Sequence, residues 1–367
     1  MAKPRNFDVL IVYNGKIATS ASNKSRQITA PFVANGPVES YNIVYGYFLA
    51  TCGQIGLKAA FTTSQDIIGA GLCSSYWSFN GKKWNKHTSM CSSNLIFDKF
   101  SPRSVSGRSL RKLLFSTARV QPFNDPSLFK LFFDKQKTYD FLSNHAIPTI
   151  SLLNAEISSI TSACKSLVQI MDKHSGNNDF SHDIIMKDRF GAGGQHVYKF
   201  KSFETDKMAD VASLNSKVKF ILQPFAKFDK GFTYNNLPSS TDIRLIYLGG
   251  KVIQSYIRIA KPNEFRCNEH QGGTLTYLEL SEIPKLLIDK ANTIATQLNK
   301  KHSLYSLDFI ITNNGNTYFL EGNTGPGLDW NVDIKENTLR SKQLIRLLAK
   351  ELKNKIQRTT PPQLQTA

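Results

Sequence analysis

Residues 307–327 read LDFIITNNGNTYFLEGNTGPG. Asp308 falls inside one apolar run, Glu321 and Asn323 close a second, and the polar segment between them suits a turn. The pattern predicts strands at 304–311 and 317–321. If these are antiparallel neighbours, three oxygen donors (Asp308, Glu321, Asn323) meet at one end of a sheet. Hard oxygen donors that leave coordination positions open suit magnesium, which keeps much of its hydration shell and binds through few protein groups. The same acids would also serve as strand-end partners of surface lysines, with Asn323-Thr324-Gly325 a simple turn.

Two earlier stretches have the chemistry that such a site needs. In IIMKDRFGAGGQHVY, residues 184–198, a strand ends at Lys187, glycines follow at 191, 193 and 194, and a strand returns at Val197. This describes a flexible hairpin whose amides can cover phosphates while Lys187 supplies positive charge. It lacks the GxxxxGK[ST] pattern and leads into a strand, so a P-loop is excluded. In STDIRLIYLGGKVIQSYIRIAKPNEFRCNEHQGG, residues 240–273, Asp242, Arg244 and Arg258 alternate with aliphatic residues, and Arg266, Asn268, Gly272 and Gly273 follow in a turn-rich stretch. A period of two sends such a row to one face of a hairpin while the other face packs. The basic groups then either clamp a polyphosphate or form a solvated charged face.

Further outward, DVLIVY (8–13) reads as a buried parallel strand, followed by a helix within 39–56 and a strand at 57–61, the opening of a doubly wound α/β sheet. Residues 71–107 show weak periodicity apart from a strand near 95–97. A helix is expected at 108–118. A second unit begins near Asp125, with helices through 135–142, at 158–173 and 203–213, and strands at 183–187, 197–200 and 219–223. A third block has strands at 243–248 and 251–259 and a helix at 283–301. A last helix at 337–356 is expected to carry Leu339, Leu344, Leu347, Leu348 and Leu352 on one face, and a disordered tail follows from 358. No internal repeat is visible.

The chain has 367 residues, 41% of them hydrophobic, enough for two or three cores. No apolar run reaches the length of a membrane helix and the N-terminus lacks a signal-peptide layout, so a cytoplasmic protein is expected. Five scattered cysteines, none spaced CxxC, point to neither a disulfide framework nor a zinc site. The net charge is +18, and residues 1–120 hold fifteen Lys or Arg against four acids. Such a surface either attracts an anionic partner or simply solvates the domain.

In order and spacing these pieces resemble the ATP-grasp enzymes, in particular the ribosomal-protein glutamate ligase and glutathione synthetase branch. The resemblance covers about residues 125–330 and rests on DKQKTYDFLSNHAIPT (134–149), the Lys187 hairpin, ILQPF (221–225), the 241–258 hairpin, EFRCN with HQGG (264–273), and DFI with LEGNTGPG. It implies an α+β ATP-grasp fold with two subdomains clasping ATP, at 125–222 (glycine-rich loop) and 223–357 (Mg site). An N-terminal pre-ATP-grasp α/β domain at 1–124 precedes them. It implies that Lys135 and Lys187 contact ATP phosphates beneath Gly191, Gly193 and Gly194. Gln223, Pro224 and Phe225 would hold adenine, and Asp242 ribose. Arg258, Arg266 and Asn268 would serve the transferring phosphate, and Asp308, Glu321 and Asn323 two Mg2+ or Mn2+ ions. Two departures stand out: Pro224 occupies a hinge position that is usually acidic and has no N–H to offer, and 226–239 is longer than the usual connection.

The resemblance implies an ADP-forming ligase that activates a carboxylate as an acyl phosphate for attack by an amine or thiol. The substrates expected are small molecules or peptides, anionic given the charge, with no membrane involved and a homo-oligomer left open. Acceptors of two kinds fit, a small amine or a peptide or protein tail. A nucleic-acid-binding module is disfavoured, because no compact basic-aromatic motif is present. Cys267 is expected to be a small spacer, and His196 and His270 hydrogen-bonding partners.

Overall fold

The computed structural model describes residues 3–100, 104–201, 204–235, 238–328 and 332–359. The chain forms two compact units. As far as they are described, the first takes in Met1–Pro126, Lys301–Leu304 and Gly325–Ala367, and the second Ser127–Lys300 and Tyr305–Thr324.

In the first unit, Val9–Tyr13 is buried at every position, as a continuous apolar run requires when both faces of a strand are covered. It pairs in parallel with Ala59–Thr63 on one side and Leu95–Lys99 on the other, and Gln121–Pro122 extends the parallel part. The far edge is an antiparallel hairpin, Tyr76–Phe79 with Trp84–His87. Residues 71–94 defeat periodicity because their strands are two to four residues long. The last helix runs Lys335–Thr359 and touches helix Tyr41–Gln54. Leu344, Ile345, Leu348 and Leu352 are its buried stripe, whereas Leu339 and Leu347, expected on the same face, are exposed at 55% and 40%. The expected tail narrows accordingly: Arg358 and Thr359 are helical, and 360–367 lie outside the described residues.

The second unit is built on two antiparallel sheets. Four strands are ordered Ile150–Ser151, Phe220–Ala226, Phe180–Asp188, Val197–Phe200, and five are ordered Thr274–Leu278, Lys251–Ile259, Thr241–Leu248, Tyr305–Ile311, Thr317–Asn323. Each sheet gives alternate residues to a core. Ile184, Met186, Phe220 and Leu222 pack with Ile160, Cys164 and Leu167 of helix Ile157–Asp172. Ile243, Leu245, Tyr247, Ile257, Leu307 and Phe309 pack with Leu287, Ala291, Ile294 and Leu298 of helix Lys285–Leu298. The intervening residues, Ile185 and Lys187 on one sheet and Asp242, Arg244, Arg258 and Asp308 on the other, are thereby sent to the opposite faces.

The long 226–239 connection is packed down along its described part. Phe228 is buried, and Phe232 and Tyr234 rest on the larger core. Gly231 passes so close to the Ile311 carbonyl that any Cβ would overlap it. Residues 236–237 lie outside the described part.

Candidate active site

Strand register brings the acidic residues together. Arg244 stands opposite Asp308 on the neighbouring strand, Asp308 opposite Glu321, and Ser306 opposite Asn323. A bulge makes this possible. Phe309 pairs with Phe319 but Asp308 with Glu321, so Leu320 is the extra residue. In a regular, unbulged strand Phe319 and Glu321, two residues apart, would share a face and the glutamate would point into the core. The bulge instead turns Glu321 and Asn323 to the side of Asp308.

On that face the charges form a continuous ladder. Asp242 accepts from Arg258 Nε and Nη2, both at 2.8 Å, and Arg258 Nη2 also donates to Asp308 Oδ2 at 2.9 Å. Arg244 clamps Asp308 through Nε at 2.6 Å and Nη2 at 2.5 Å, and reaches Tyr256 Oη at 3.2 Å. The same Nη2 lies 3.9 Å from Glu321 Oε1, so the two carboxylates are no farther apart than the sum of those two Nη2 distances. Burial pulls the Arg244 guanidinium down, but Asp308, joined by Tyr256 and Glu321, more than offsets it and holds the group well above its ordinary value. Burial likewise pushes Glu321 up, and Lys135, Arg244, Arg258 and Lys187 together hold it below the usual carboxylate value. Asp308 is fully buried. Its three guanidinium bonds leave about one of a carboxylate's four acceptor positions. Close by, Ser306 Oγ and Asn323 Nδ2 are buried without a hydrogen-bond partner.

The opposite sheet contributes Lys187, 8% exposed, with Val197 and Ile221 as its strand neighbours. Burial, reinforced by Lys135, lowers its ammonium to about 8, against a smaller opposing pull from Glu321. Lys135 opens helix Lys135–Leu142, whose N-cap Asp134 accepts from the Gln136 and Lys137 amides. Arg189 grips Asp134 bidentately, at 2.6 and 2.7 Å, and its carbonyl accepts from the Lys135 amide. Lys135 Nζ donates to the Gly191 carbonyl. The clamp thus ties the helix start to the glycine loop. At Gly194, φ is +72° and a Cβ would press on Asn268 Oδ1, so the close approach of loop to turn depends on glycine. Gln271 Nε2 donates to the Gly193 carbonyl at 3.4 Å across the same contact.

Of these groups Lys135, Lys187, Gly191, Gly193, Gly194, Asp242, Arg258, Asn268 and Glu321 line one cleft of the second unit, enclosing about 880 Å³ of space that includes open solvent, whereas Arg244 and Asp308 are not among its lining residues. The lining combines apolar side chains, Ile147, Ile185, Val197, Phe225 and Leu320, with the polar Lys135, Lys187, Arg258, Arg266, Asn268 and Glu321. Strand Phe220–Ala226, at the hinge position, contributes Gln223, Pro224, Phe225 and Ala226. On one side its pairing with Ile150–Ser151 stops at Leu222, while Gln223 Nε2 donates to Thr149 Oγ1 at 2.7 Å and Pro224 supplies only a carbonyl.

All the residues singled out in the sequence for nucleotide and phosphate therefore border this cleft, and Asn323 borders an adjoining pocket shared with Lys135, Lys187 and Glu321. One differs from expectation in its partners: both Asp242 oxygens are engaged by Arg258. The buried Cys267 thiol donates to the Ser240 carbonyl at 3.3 Å and is pushed far up by burial, as a spacer requires. His196 faces Tyr198 Oη at 3.2 Å, and His270 is exposed. Sequence alone gives no role to Arg189 or Glu264, and it does not pair Arg244 with Asp308. For Arg244 the available signal is its place in the alternating row with Asp242.

The RimK-like ATP-grasp domain family matches residues 133–348. A protein named "Probable alpha-L-glutamate ligase" from Histophilus somni (strain 2336) is 28% identical over 217 residues, 59% of this chain and 63% of that one, a little under two thirds of the relative's length. Among solved structures, D-alanyl-alanine synthetase A from Vibrio cholerae has a TM-score of 0.57 at 15% identity, covering 96% of this chain and 100% of that one. A RiPP-associated ATP-grasp ligase from Chryseobacterium gregarium, solved with ADP and a leader and core peptide, has 0.54 at 12%, covering 96% and 97%. The two solved structures show a shared fold. With the family matched across more than half of the chain, and its motifs bordering one cleft, this protein belongs to the RimK-like ATP-grasp domain family.

Proposed function

We propose that the chain is an ATP-dependent carboxylate-amine ligase, in which a carboxylate takes the γ-phosphoryl group of ATP and the resulting acyl phosphate is attacked by an amine, releasing phosphate. The carrying observation is the cleft itself, apolar at the hinge strand and cationic at Lys135, Lys187, Arg258 and Arg266. Adenine would take the apolar lining at the hinge strand, and a polyphosphate the cationic groups.

The acidic edge fits a divalent ion. Glu321 is partly exposed and held below the usual carboxylate value by the surrounding cations, Asp308 keeps about one acceptor position, and the Ser306 hydroxyl, on the same strand two residues before Asp308, is buried without a partner. Asp308, Glu321 and Asn323 would hold Mg2+ or Mn2+, two ions in our reading. When bound, the metal neutralises phosphate charge. The chain's own contribution is positioning: Lys187 and Lys135 hold the polyphosphate, Arg258 and Arg266 face the transferring group, and the glycine loop excludes water. Asp242 serves in this reading to aim Arg258, since its oxygens are already engaged. No side-chain nucleophile is required.

The acceptor in this reading is an amino acid or a peptide; the relative is named a glutamate ligase, and the peptide alternative draws on the leader and core peptide in the Chryseobacterium gregarium complex. No helix among the described residues is long and apolar enough to cross a membrane. Five free, buried thiols suit a reducing, ATP-containing compartment such as the cytoplasm.

The test is ADP and phosphate release from Mg-ATP with amino acids, short peptides and acidic polymers, with Glu321→Gln as control. Release that needs both a carboxylate and an amine supports the reading. Tight, salt-steep DNA binding with no ADP from any mixture overturns it.

A further inference from the structure

We propose that Glu264 is a positioning residue for Arg266, fixing its guanidinium so that the Nε–H is left for the terminal phosphate of the nucleotide. The ligand's identity rests on the ligase reading above; the role of Glu264 rests on the loop's geometry.

Glu264 Oε2 accepts from Arg266 Nη2 at 2.7 Å, while Oε1 accepts from the backbone amides of Phe265 at 2.9 Å and Arg266 at 3.3 Å. One carboxylate thus holds both the guanidinium and the backbone that carries it. The turn leading in is tight: the Glu264 amide donates to the Lys261 carbonyl at 3.1 Å, and Asn263 is left-handed with φ +63°. Exposed ion pairs contribute little on their own, but the Glu264 side chain is only 15% exposed and its bonds to two amides fix the pair's direction.

The consequence falls on Arg266 Nε, which is buried and has no hydrogen-bond partner. A buried guanidinium N–H without an acceptor is costly. It belongs to a residue that lines the cleft with Lys135, Lys187 and Asn268, where the missing acceptor would be anionic. The Arg266 bond holds the Glu264 carboxyl down at about 2, so the pair stays ionised throughout the neutral range. The loop also reaches the hinge strand, because Phe265 packs edge-on against Phe225, with centroids 5.6 Å apart. Glu264 therefore anchors a segment that touches the hinge strand through Phe265 and lines the cleft through Arg266.

A double-mutant cycle on the full chain, read by calorimetry with Mg-AMPPNP and Mg-ADP, tests this. Glu264→Gln is expected to weaken AMPPNP binding about tenfold and ADP binding less than about threefold, the size of one charge-assisted hydrogen bond lost at the terminal phosphate. Arg266→Ala should lose at least as much, and the double variant no more than Arg266→Ala alone. If Glu264→Gln disturbs folding, Glu264→Asp, which keeps the charge and shortens the reach, supports the same comparison. Equal losses for both nucleotides, or a full additional loss in the Arg266→Ala background, would show that the carboxylate only braces the loop. Tight wild-type nucleotide binding with no change in Glu264→Gln overturns the role of Glu264 alone. Wild-type protein that binds neither nucleotide overturns the ligase reading and this proposal with it.

Discussion

The two sheets facing the cleft manage charge in opposite ways. On the five-stranded sheet each buried carboxylate already has a guanidinium: Asp242 has Arg258, and Asp308 has both Arg258 and Arg244. On the four-stranded sheet Lys187 is buried beside a second cation, Lys135, and its ammonium is lowered to about 8. The first face is organised before any ligand arrives. The second carries an electrostatic cost that a polyanion would relieve.

The contrast breaks most visibly at Asp308. Asp308→Asn would leave two buried guanidiniums short of a counter-charge, so a stability loss of about 3 kcal/mol or more is expected, measured by urea unfolding, together with abolished ADP release. Glu321→Gln touches a group only loosely paired with Arg244, at 3.9 Å. It should keep the fold and lower ADP release by about 100-fold or more. A large stability loss in this variant would place Glu321 in the structural ladder instead.

Lys187→Met sharpens the other side. Removing a buried charge that Glu321 only partly compensates should raise the melting temperature while weakening ATP binding by about tenfold or more, a trade of stability against function. A lower melting temperature would mean that the Lys187 charge is compensated within the apo protein. The mildest effect is on pH. The ammonium is the form that holds phosphate, so kcat/KM for ATP should decline as pH rises through about 8. Apo stability should move the other way. The unfolded chain keeps its lysine proton up to an ordinary value near 10.5 while the folded chain has lost it from about 8, so stability contributed at this site rises with pH across that window. Lys187→Met should remove both dependences.

How far sequence reading carries depends on whether a feature is periodic. The alternation in TDIRLIYL and YSLDFII places Asp242, Arg244 and Asp308 opposite Ile243, Leu245 and Leu307, and that arrangement is present. Where alternation breaks, sequence is silent. The extra residue Leu320 has nothing in its identity that marks a bulge, yet it decides which way Glu321 points. The ion pairs are equally hidden, because Arg189 with Asp134 and Arg244 with Asp308 are joined across 55 and 64 residues by tertiary register alone. In the first unit, residues 71–94 form strands too short to show a period. The last helix misleads in a smaller way: a run rich in leucine buries one stripe and leaves Leu339 and Leu347 outside it.

The central claim is that the cleft transfers a phosphoryl group to a carboxylate before an amine arrives. Its most direct test is to supply a productive substrate labelled with 18O in the carboxylate, with Mg-ATP and the amine, and to analyse the released phosphate by mass spectrometry. One 18O atom is expected in each phosphate released, carried over when the acyl phosphate is cleaved. Unlabelled phosphate formed alongside ligated product would contradict the claim.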